Sequence, residues 1–174
     1  MKTNLFSLTA ALVWAFASSA SAEVTTKLSG VHLCCQSCVK GVAASAGKVA
    51  GAKVACDKDA GTVAITADDK ATVQKAVDAL VTAGYFGTSS NPDVKVATSH
   101  SAPAGKVSTL KVTGVHLCCG KCVTAVSNAL KSVKGVTGNN AEKGSETFTV
   151  SGDFNAAEVF TALEKAGLTG QAGK

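Results

Sequence analysis

The sequence predicts an α+β protein made of two copies of the element order βαββαβ. One observation is an internal repeat, because residues 31–39 (VHLCCQSCV) recur 84 residues later as residues 115–123 (VHLCCGKCV). The other is that strand-like alternation before each copy changes to helical spacing of apolar residues within and after it. A repeat that extends through whole elements favours two structural units over one.

In the first unit, strands are predicted where β-branched residues alternate with polar ones. Helices are predicted where apolar residues recur every three or four positions, as at Val39, Val42 and Ala46. The predicted elements are a strand at 24–31, a helix from about Cys35 to Gly51, strands at 52–56 and 62–66, a helix from Asp68 or Asp69 to Gly84, and a strand near 94–96.

The second unit repeats this order with different residues. Its predicted elements are a strand at 107–115, a helix with an apolar face over 123–133, strands around Val136 and Phe148, a helix from its cap Asp153 to Gly167, and a short strand within 168–174. The repeat also includes the loop after each second helix, where residues 83–87 (AGYFG) match residues 166–170 (AGLTG). The order βαββαβ folds as a two-layer sandwich of the ferredoxin-like kind.

The N-terminal segment has the pattern of a secretory signal peptide. A charged start at Lys2 precedes an apolar stretch over 5–16 and the small residues Ala20, Ser21 and Ala22. We therefore expect a signal peptide at 1–22, a first domain at 23–97, a linker at 98–106 and a second domain at 107–174. No later segment is apolar enough to span a bilayer, so the mature chain is expected to be soluble and periplasmic or secreted.

The composition argues against nucleic-acid binding. The formal net charge is +5, but every positive side chain is a lysine and only 5% of residues are aromatic. Arginine is the preferred residue for bidentate contacts to phosphates and bases, and aromatic rings supply stacking platforms. We therefore expect the lysines to form a solvated surface.

Six of the seven cysteines lie in the two repeated segments. Adjacent Cys-Cys pairs are awkward to bridge to each other, so the spacing argues against a simple disulfide framework. In each copy a C-x-x-C pair enters a helix, where free backbone N–H groups and the helix dipole stabilise thiolate. The seventh, Cys56, is predicted to be a buried apolar thiol on a strand, and His100 a solvated residue of the linker.

The repeated pattern H-x-C-C-x-x-C supplies soft ligands for a metal ion. Two thiolates suit Cu(I) or Hg(II), a third gives a trigonal sulfur site, and an added imidazole gives a set known for tetrahedral Zn(II). Adjacent residues of an extended chain point apart, so the first cysteine joins the second only if the loop bends. The candidate ligands are His32, Cys34, Cys35, Cys38, His116, Cys118, Cys119 and Cys122.

On these residues the chain resembles a tandem pair of heavy-metal-associated domains, the family of copper chaperones and the periplasmic mercury-binding protein. The residues 35–38 and 119–122 match the two-cysteine positions of the family's Gly-Met-Thr-Cys-x-x-Cys loop, and the Ala-Gly-Tyr stretch at Tyr85 resembles its loop after the second helix. The family's Gly, Met and Thr are replaced by His, Leu and Cys in both copies. The resemblance implies a ferredoxin-like fold, the C-x-x-C pairs as ligands and a role in metal transfer.

We expect a non-catalytic metal carrier or scavenger that holds Cu(I), Zn(II) or Hg(II), up to one ion per domain. The metal would pass by thiolate exchange to a membrane metal transporter or another metal-binding protein. One alternative is a thiol–disulfide redox protein that uses the C-x-x-C pairs. Another is a structural zinc module that would unfold without its metal. The sequence leaves the metal and the oligomeric state open.

Overall fold

The computed structural model describes residues 22–174 and contains two sheet-and-helix units. The first unit consists of β1 (Val24–Ser29), α1 (Gln36–Ala46), β2 (Lys53–Asp57), β3 (Thr62–Ala67), α2 (Lys70–Thr82) and β4 (Thr88–Ser89). The second consists of β5 (Lys106–Thr113), α3 (Gly120–Leu130), β6 (Val136–Asn139), β7 (Thr147–Asn155), α4 (Ala156–Lys165) and β8 (Gln171–Ala172). The structure thus confirms the predicted α+β class.

Each unit has one four-stranded antiparallel sheet, in the orders β2-β3-β1-β4 and β6-β7-β5-β8. In β3, Val63, Ile65 and Ala67 are buried and alternate with partly exposed residues, so one face of the sheet is covered. Each helix buries one apolar face; in α1 this face includes Val42 and Ala46. Among residues 22–174, the two sheets and four helices are what two ferredoxin-like units would have.

The last strand of the first unit is not where the sequence predicted it. The strand expected near 94–96 is absent, and β4 instead pairs Ser89 with Leu28 of β1. The backbone of Lys95 exchanges two hydrogen bonds with the side-chain amide of Gln74 on α2. Because a side chain already satisfies these backbone groups, this segment packs on the helix rather than extending the sheet.

Two helix boundaries also differ from prediction. The helix α4 is capped by Asn155, whose side chain accepts a hydrogen bond from the N–H of Ala157, and not by Asp153. Asp153 lies within β7 and forms a 2.6 Å ion pair with Lys106 of β5, so the strand runs two residues past the predicted cap. The helix α1 ends at Ala46, before the predicted end at Gly51. The cap of α2 is Asp69, one of the two predicted aspartates.

His100 is not solvated, contrary to prediction. Its Nδ1 lies 2.7 Å from the carbonyl oxygen of Gly170, and its Nε2 lies 2.7 Å from a carboxylate oxygen of Glu164. Its ring stacks on Phe160, with the centroids 4.3 Å apart. The segment between β4 and β5 is therefore tied to the second unit.

The predicted signal peptide lies, except for Ala22, outside the described residues. Among residues 22–174, no helix combines the length and apolar character needed to cross a membrane. The predicted domain boundaries at residues 97 and 107 stay predictions.

The two units meet through the repeated Ala-Gly loops. We call residues 84–86 and 167–169 the paired loops. The N–H of Phe86 donates to the carbonyl of Gly167 (3.1 Å), and the N–H of Thr169 donates to the carbonyl of Gly84 (3.0 Å). Tyr85 and Leu168 form an antiparallel bridge between these bonds. The pairing is nearly symmetric, because equivalent residues of the repeat exchange the two hydrogen bonds.

The glycines of the paired loops allow this close approach. Gly84 and Gly167 have φ values of +84° and +75°. A Cβ at Gly84 would lie 2.5 Å from the backbone nitrogen of His116, and a Cβ at Gly167 would lie 2.5 Å from that of His32. Because each glycine lacks a Cβ, the cysteine-loop backbone of the other unit can approach it more closely than any larger residue would allow.

We predict that Gly84→Ala lowers the free energy of unfolding more than Gly144→Ala. Both glycines have φ near +84°, and an alanine there costs about 1–2 kcal/mol. A Cβ at Gly144 meets nothing within 4 Å, whereas a Cβ at Gly84 collides with the backbone of the second unit. Such overpacking adds about 1–3 kcal/mol. Urea unfolding followed by circular dichroism measures both, and equal losses would show that the paired loops are not in close contact.

Candidate metal centre

The C-x-x-C pairs lie at helix N-termini, as predicted. Cys35 and Cys119 are the N-cap residues of α1 and α3, with extended φ/ψ angles of −159°/171° and −151°/170°. Their backbone carbonyls accept hydrogen bonds of 3.0 Å from the N–H groups of Cys38 and Cys122. In both helices the second cysteine of the pair is fully buried. The helix start thus fixes one sulfur in the interior and one near the surface.

The six cysteines of the repeat come together in one place. All are free thiols, and their Sγ atoms lie 3.4–3.9 Å from their neighbours. The sequence was interpreted as two sites, one per domain, whereas the structure joins both sets of sulfurs. We call this set the thiol cluster; its members are Cys34, Cys35, Cys38, Cys118, Cys119 and Cys122.

The extra cysteine of each repeat connects the two units. The Sγ of Cys34 lies 3.4 Å from that of Cys119 and 3.5 Å from that of Cys122. Reciprocally, the Sγ of Cys118 lies 3.6 Å from that of Cys35 and 3.4 Å from that of Cys38. Each extra cysteine therefore contacts both sulfurs of the opposite C-x-x-C pair, and the contacts follow the same near-twofold symmetry as the paired loops.

The thiol cluster contains several sets of three donors that could hold a metal ion. In each set, the ligand atoms all lie within 4.8 Å of one another. We call them the three-donor groups; they are His32/Cys34/Cys122, Cys34/Cys35/Cys119, Cys35/Cys38/Cys118 and Cys118/Cys119/Cys122. Three of the four combine cysteines with a residue from the other unit, and all eight predicted ligands except His116 occur in them.

The two histidines differ in their surroundings. The Nε2 atoms of His32 and His116 are both buried without a hydrogen-bond partner, and burial lowers the pKa of both rings. A buried, unpartnered ring nitrogen is costly unless it has another partner. A ring nitrogen of His32 lies within 4.8 Å of the sulfurs of Cys34 and Cys122, and these three residues could hold a metal ion. His116 instead stacks on Tyr85, with ring centroids 4.6 Å apart.

Tyr85 holds the first C-x-x-C pair through a hydrogen bond to its backbone. Its ring is buried, and its hydroxyl donates a 2.9 Å hydrogen bond to the carbonyl of Cys38. A Cβ at Gly41 would lie 2.2 Å from this hydroxyl, so the glycine makes room for it. In the second unit the equivalent residues are Leu168 and Ala125, and a leucine cannot make this hydrogen bond.

The thiols differ in how easily they lose a proton. Hydrogen bonding from the backbone N–H of Cys38 lowers the pKa of the Cys35 thiol to about 6. Burial raises the pKa of the Cys119 thiol, but hydrogen bonds from the backbone of Cys122 and from the Cys34 thiol outweigh burial and lower it overall. Burial, followed by hydrogen bonds from neighbouring thiols, raises the pKa of Cys34 and Cys118. The N-cap cysteines are therefore the first thiolates available to an arriving cation.

Cys56 lies apart from the thiol cluster. It is a partly buried residue of β2, and burial raises its pKa. It therefore serves as an internal reference for the reactive thiols.

No model of a known protein family matches the sequence. The chain is similar to the solved N-terminal soluble domains of Bacillus subtilis CopA, with 15% identity and a TM-score of 0.32, over 88% of this chain and 95% of that chain. It is also similar to the first two RRM domains of the yeast poly(U)-binding protein Pub1, with 15% identity and a TM-score of 0.24, over 86% and 98%. Neither similarity assigns a function.

We predict that Cys35 is alkylated at lower pH than Cys56 in the reduced, metal-free protein. Thiolate is the reactive form, so a pKa near 6 brings the Cys35 rate to its plateau above about pH 7. The Cys56 rate should still rise through about pH 9, because burial raises its pKa. Iodoacetamide labelling read by peptide mass spectrometry gives both profiles. A Cys35 rate that rises as steeply as that of Cys56 above pH 8 would contradict the prediction.

Proposed function

We propose that this protein is an exported, non-catalytic carrier or scavenger of a soft metal ion, with Cu(I) as its preferred cargo. The observation that carries the proposal is the convergence of six free thiols from both units, with sulfur–sulfur distances of 3.4–3.9 Å. We include the assignment of both units to the heavy-metal-associated family in this proposal. It is supported by the C-x-x-C pairs, which follow the first strand of each unit and begin its first helix.

The donor set favours Cu(I) over the competing ions. With a metal–sulfur bond of about 2.3 Å, sulfurs lie about 4.0 Å apart around a trigonal ion, 3.8 Å around a tetrahedral ion and 4.6 Å in a linear complex. The observed distances are too short for linear Hg(II) between contacting sulfurs. The groups provide three donors each, whereas structural Zn(II) sites take four. Soft thiolates select Cu(I), and three donors complete its coordination.

The centre is open enough for metal exchange. A surface cavity of about 260 Å³ is lined by Cys118, His116 and Glu146, among other residues. An incoming thiolate from a transporter or another metal-binding protein would reach Cys118 through this cavity. The ion would then pass through intermediates in which both proteins share it, with one thiolate replaced at each step.

A thiol–disulfide redox function is the second candidate, and the lowered pKa of Cys35 favours it. Such chemistry needs one reactive thiol and one resolving thiol. A redox function does not explain why the extra cysteine of each repeat contacts both sulfurs of the opposite pair. Metal binding uses all six, so we place it first.

We predict that Cys38→Ser weakens Cu(I) binding, whereas Cys56→Ser leaves it unchanged. Cys38 is buried in the thiol cluster and contacts three other sulfurs, and a hydroxyl is a poor ligand for Cu(I). Anaerobic competition against a chromophoric Cu(I) chelator measures the affinity of the reduced protein and of each variant. We expect a loss of about 10-fold or more for Cys38→Ser.

Failure of the reduced wild-type protein to bind Cu(I), Zn(II) or Hg(II) would overturn the proposed function. Reduction of a disulfide substrate with turnover that survives chelation would support the redox candidate instead. Circular dichroism of the metal-free protein separates a carrier from a structural zinc module. A carrier stays folded because its buried apolar residues form a core without a metal ion, whereas a zinc module unfolds.

We predict that His32→Ala lowers Cu(I) affinity more than His116→Ala does. A ring nitrogen of His32 lies within 4.8 Å of the sulfurs of Cys34 and Cys122, while the ring of His116 stacks on Tyr85. We expect about a 10-fold loss for the first variant and mainly a lower unfolding midpoint for the second. The same chelator competition and thermal unfolding measure both effects. Equal losses of affinity would show that the two histidines play the same role.

A further inference from the structure

We infer that the thiol cluster takes up Cu(I) as one sulfur-bridged cluster of several ions, and not as separate ions held by each unit. This inference rests on the proposed function and deepens it. The number of ions would reach as many as four, one for each three-donor group.

The first step is that the three-donor groups share their sulfurs. Five of the six cysteines belong to two groups each, and Cys38 belongs to one. Two groups, His32/Cys34/Cys122 and Cys35/Cys38/Cys118, have no residue in common and could hold two independent ions. A third ion has no unshared set of three donors, so its binding requires sulfurs that bridge two ions.

The second step is that three of the four three-donor groups need residues from both units. Of the three-donor groups, only Cys118/Cys119/Cys122 comes from a single unit. The sulfurs of Cys34 and Cys118 instead contact the opposite C-x-x-C pair at 3.4–3.6 Å. These distances are a few tenths of an ångström below the roughly 4.0 Å expected around a trigonal ion. A small expansion of the existing arrangement therefore suffices, and the units need not separate.

The third step concerns the net charge of the thiol cluster. Contacting thiolates repel each other, so cations bound among the six sulfurs offset this repulsion. Each protonated thiol releases one proton to solvent when it forms its first Cu–S bond, a bridging sulfur forms its second bond without a further proton, and neither copper nor sulfur changes oxidation state. Six thiolates with four Cu(I) ions leave a charge of about −2, partly offset by the N-termini of α1 and α3, each equivalent to about +0.5. A single Cu(I) bound by three thiolates would also carry a charge of about −2, so sharing sulfurs lets the cluster hold four ions at the charge of one.

The experiment is anaerobic titration of the reduced, full chain with Cu(I) supplied as its acetonitrile complex, followed by native mass spectrometry. A bridged cluster predicts cooperative filling, so metal-free protein and forms with three or four ions coexist at two equivalents, with few one-ion forms. X-ray absorption at the copper edge should then show three-coordinate copper, bound mainly to sulfur, and a copper–copper distance. Saturation at one or two ions, without copper–copper scattering, would overturn the inference and leave the proposed function standing. No Cu(I) binding at all would overturn this inference together with the choice of Cu(I) as the preferred cargo.

Matched serine variants test whether the bound ions share sulfurs. Cys118→Ser removes a sulfur from two groups and Cys38→Ser from one, while Cys56→Ser removes none. We expect the loss of multi-ion forms to follow that order. If the units bound ions independently, Cys118→Ser would instead leave one ion bound to the first unit with unchanged affinity, which would overturn the inference. Circular dichroism of each metal-free variant shows that it is folded.

Discussion

The short backbone pairing between residues 84–86 and 167–169 is the interaction on which the candidate site depends. It brings Gly84 and Gly167 against the cysteine loops of the opposite units. Each unit has its own four-stranded sheet, but the buried apolar residues of both units belong to one core cluster. What the contact provides is the position of one C-x-x-C pair opposite the other. The thiol cluster is therefore a property of the pair of units and not of either repeat alone.

This arrangement places like groups together in a way that is unfavourable without a cation. Six thiols in contact cannot all ionise, because contacting thiolates repel and burial disfavours charge. The N-cap thiols resolve part of this conflict, since backbone N–H groups lower the pKa of Cys35 and Cys119 while burial raises that of Cys34 and Cys118. The metal-free protein thus presents thiolates at the two N-caps beside thiols that keep their protons. Under the proposed function, bound metal and the contact between the units would stabilise each other.

Sequence patterns predicted most helices and strands but not the contact between the two units. Alternation and helical spacing placed the first strand and first helix of each unit, because these patterns are local. The prediction of a strand near 94–96 was wrong because the side chain of Gln74 on α2 satisfies that backbone. The prediction that His100 is solvated was wrong because its partners Gly170 and Glu164 lie far along the chain. The joined thiol cluster was missed for the same reason. Its available signal was the repeated Ala-Gly loop, which was interpreted as the loop after the second helix of each unit and not as a contact between the units.

The two halves of the centre are not equivalent, and the differences are coupled. Tyr85 anchors Cys38 through its hydroxyl and stacks on His116, and Gly41 leaves the room that this ring needs. In the second unit, Leu168 and Ala125 occupy these positions, so no hydroxyl reaches the second pair. Tyr85 therefore restrains the first C-x-x-C pair and the histidine of the opposite loop together, while His32 faces the sulfurs of Cys34 and Cys122. Under the proposed function, the less restrained second pair, beside the cavity at Cys118, is the side from which a bound ion would leave.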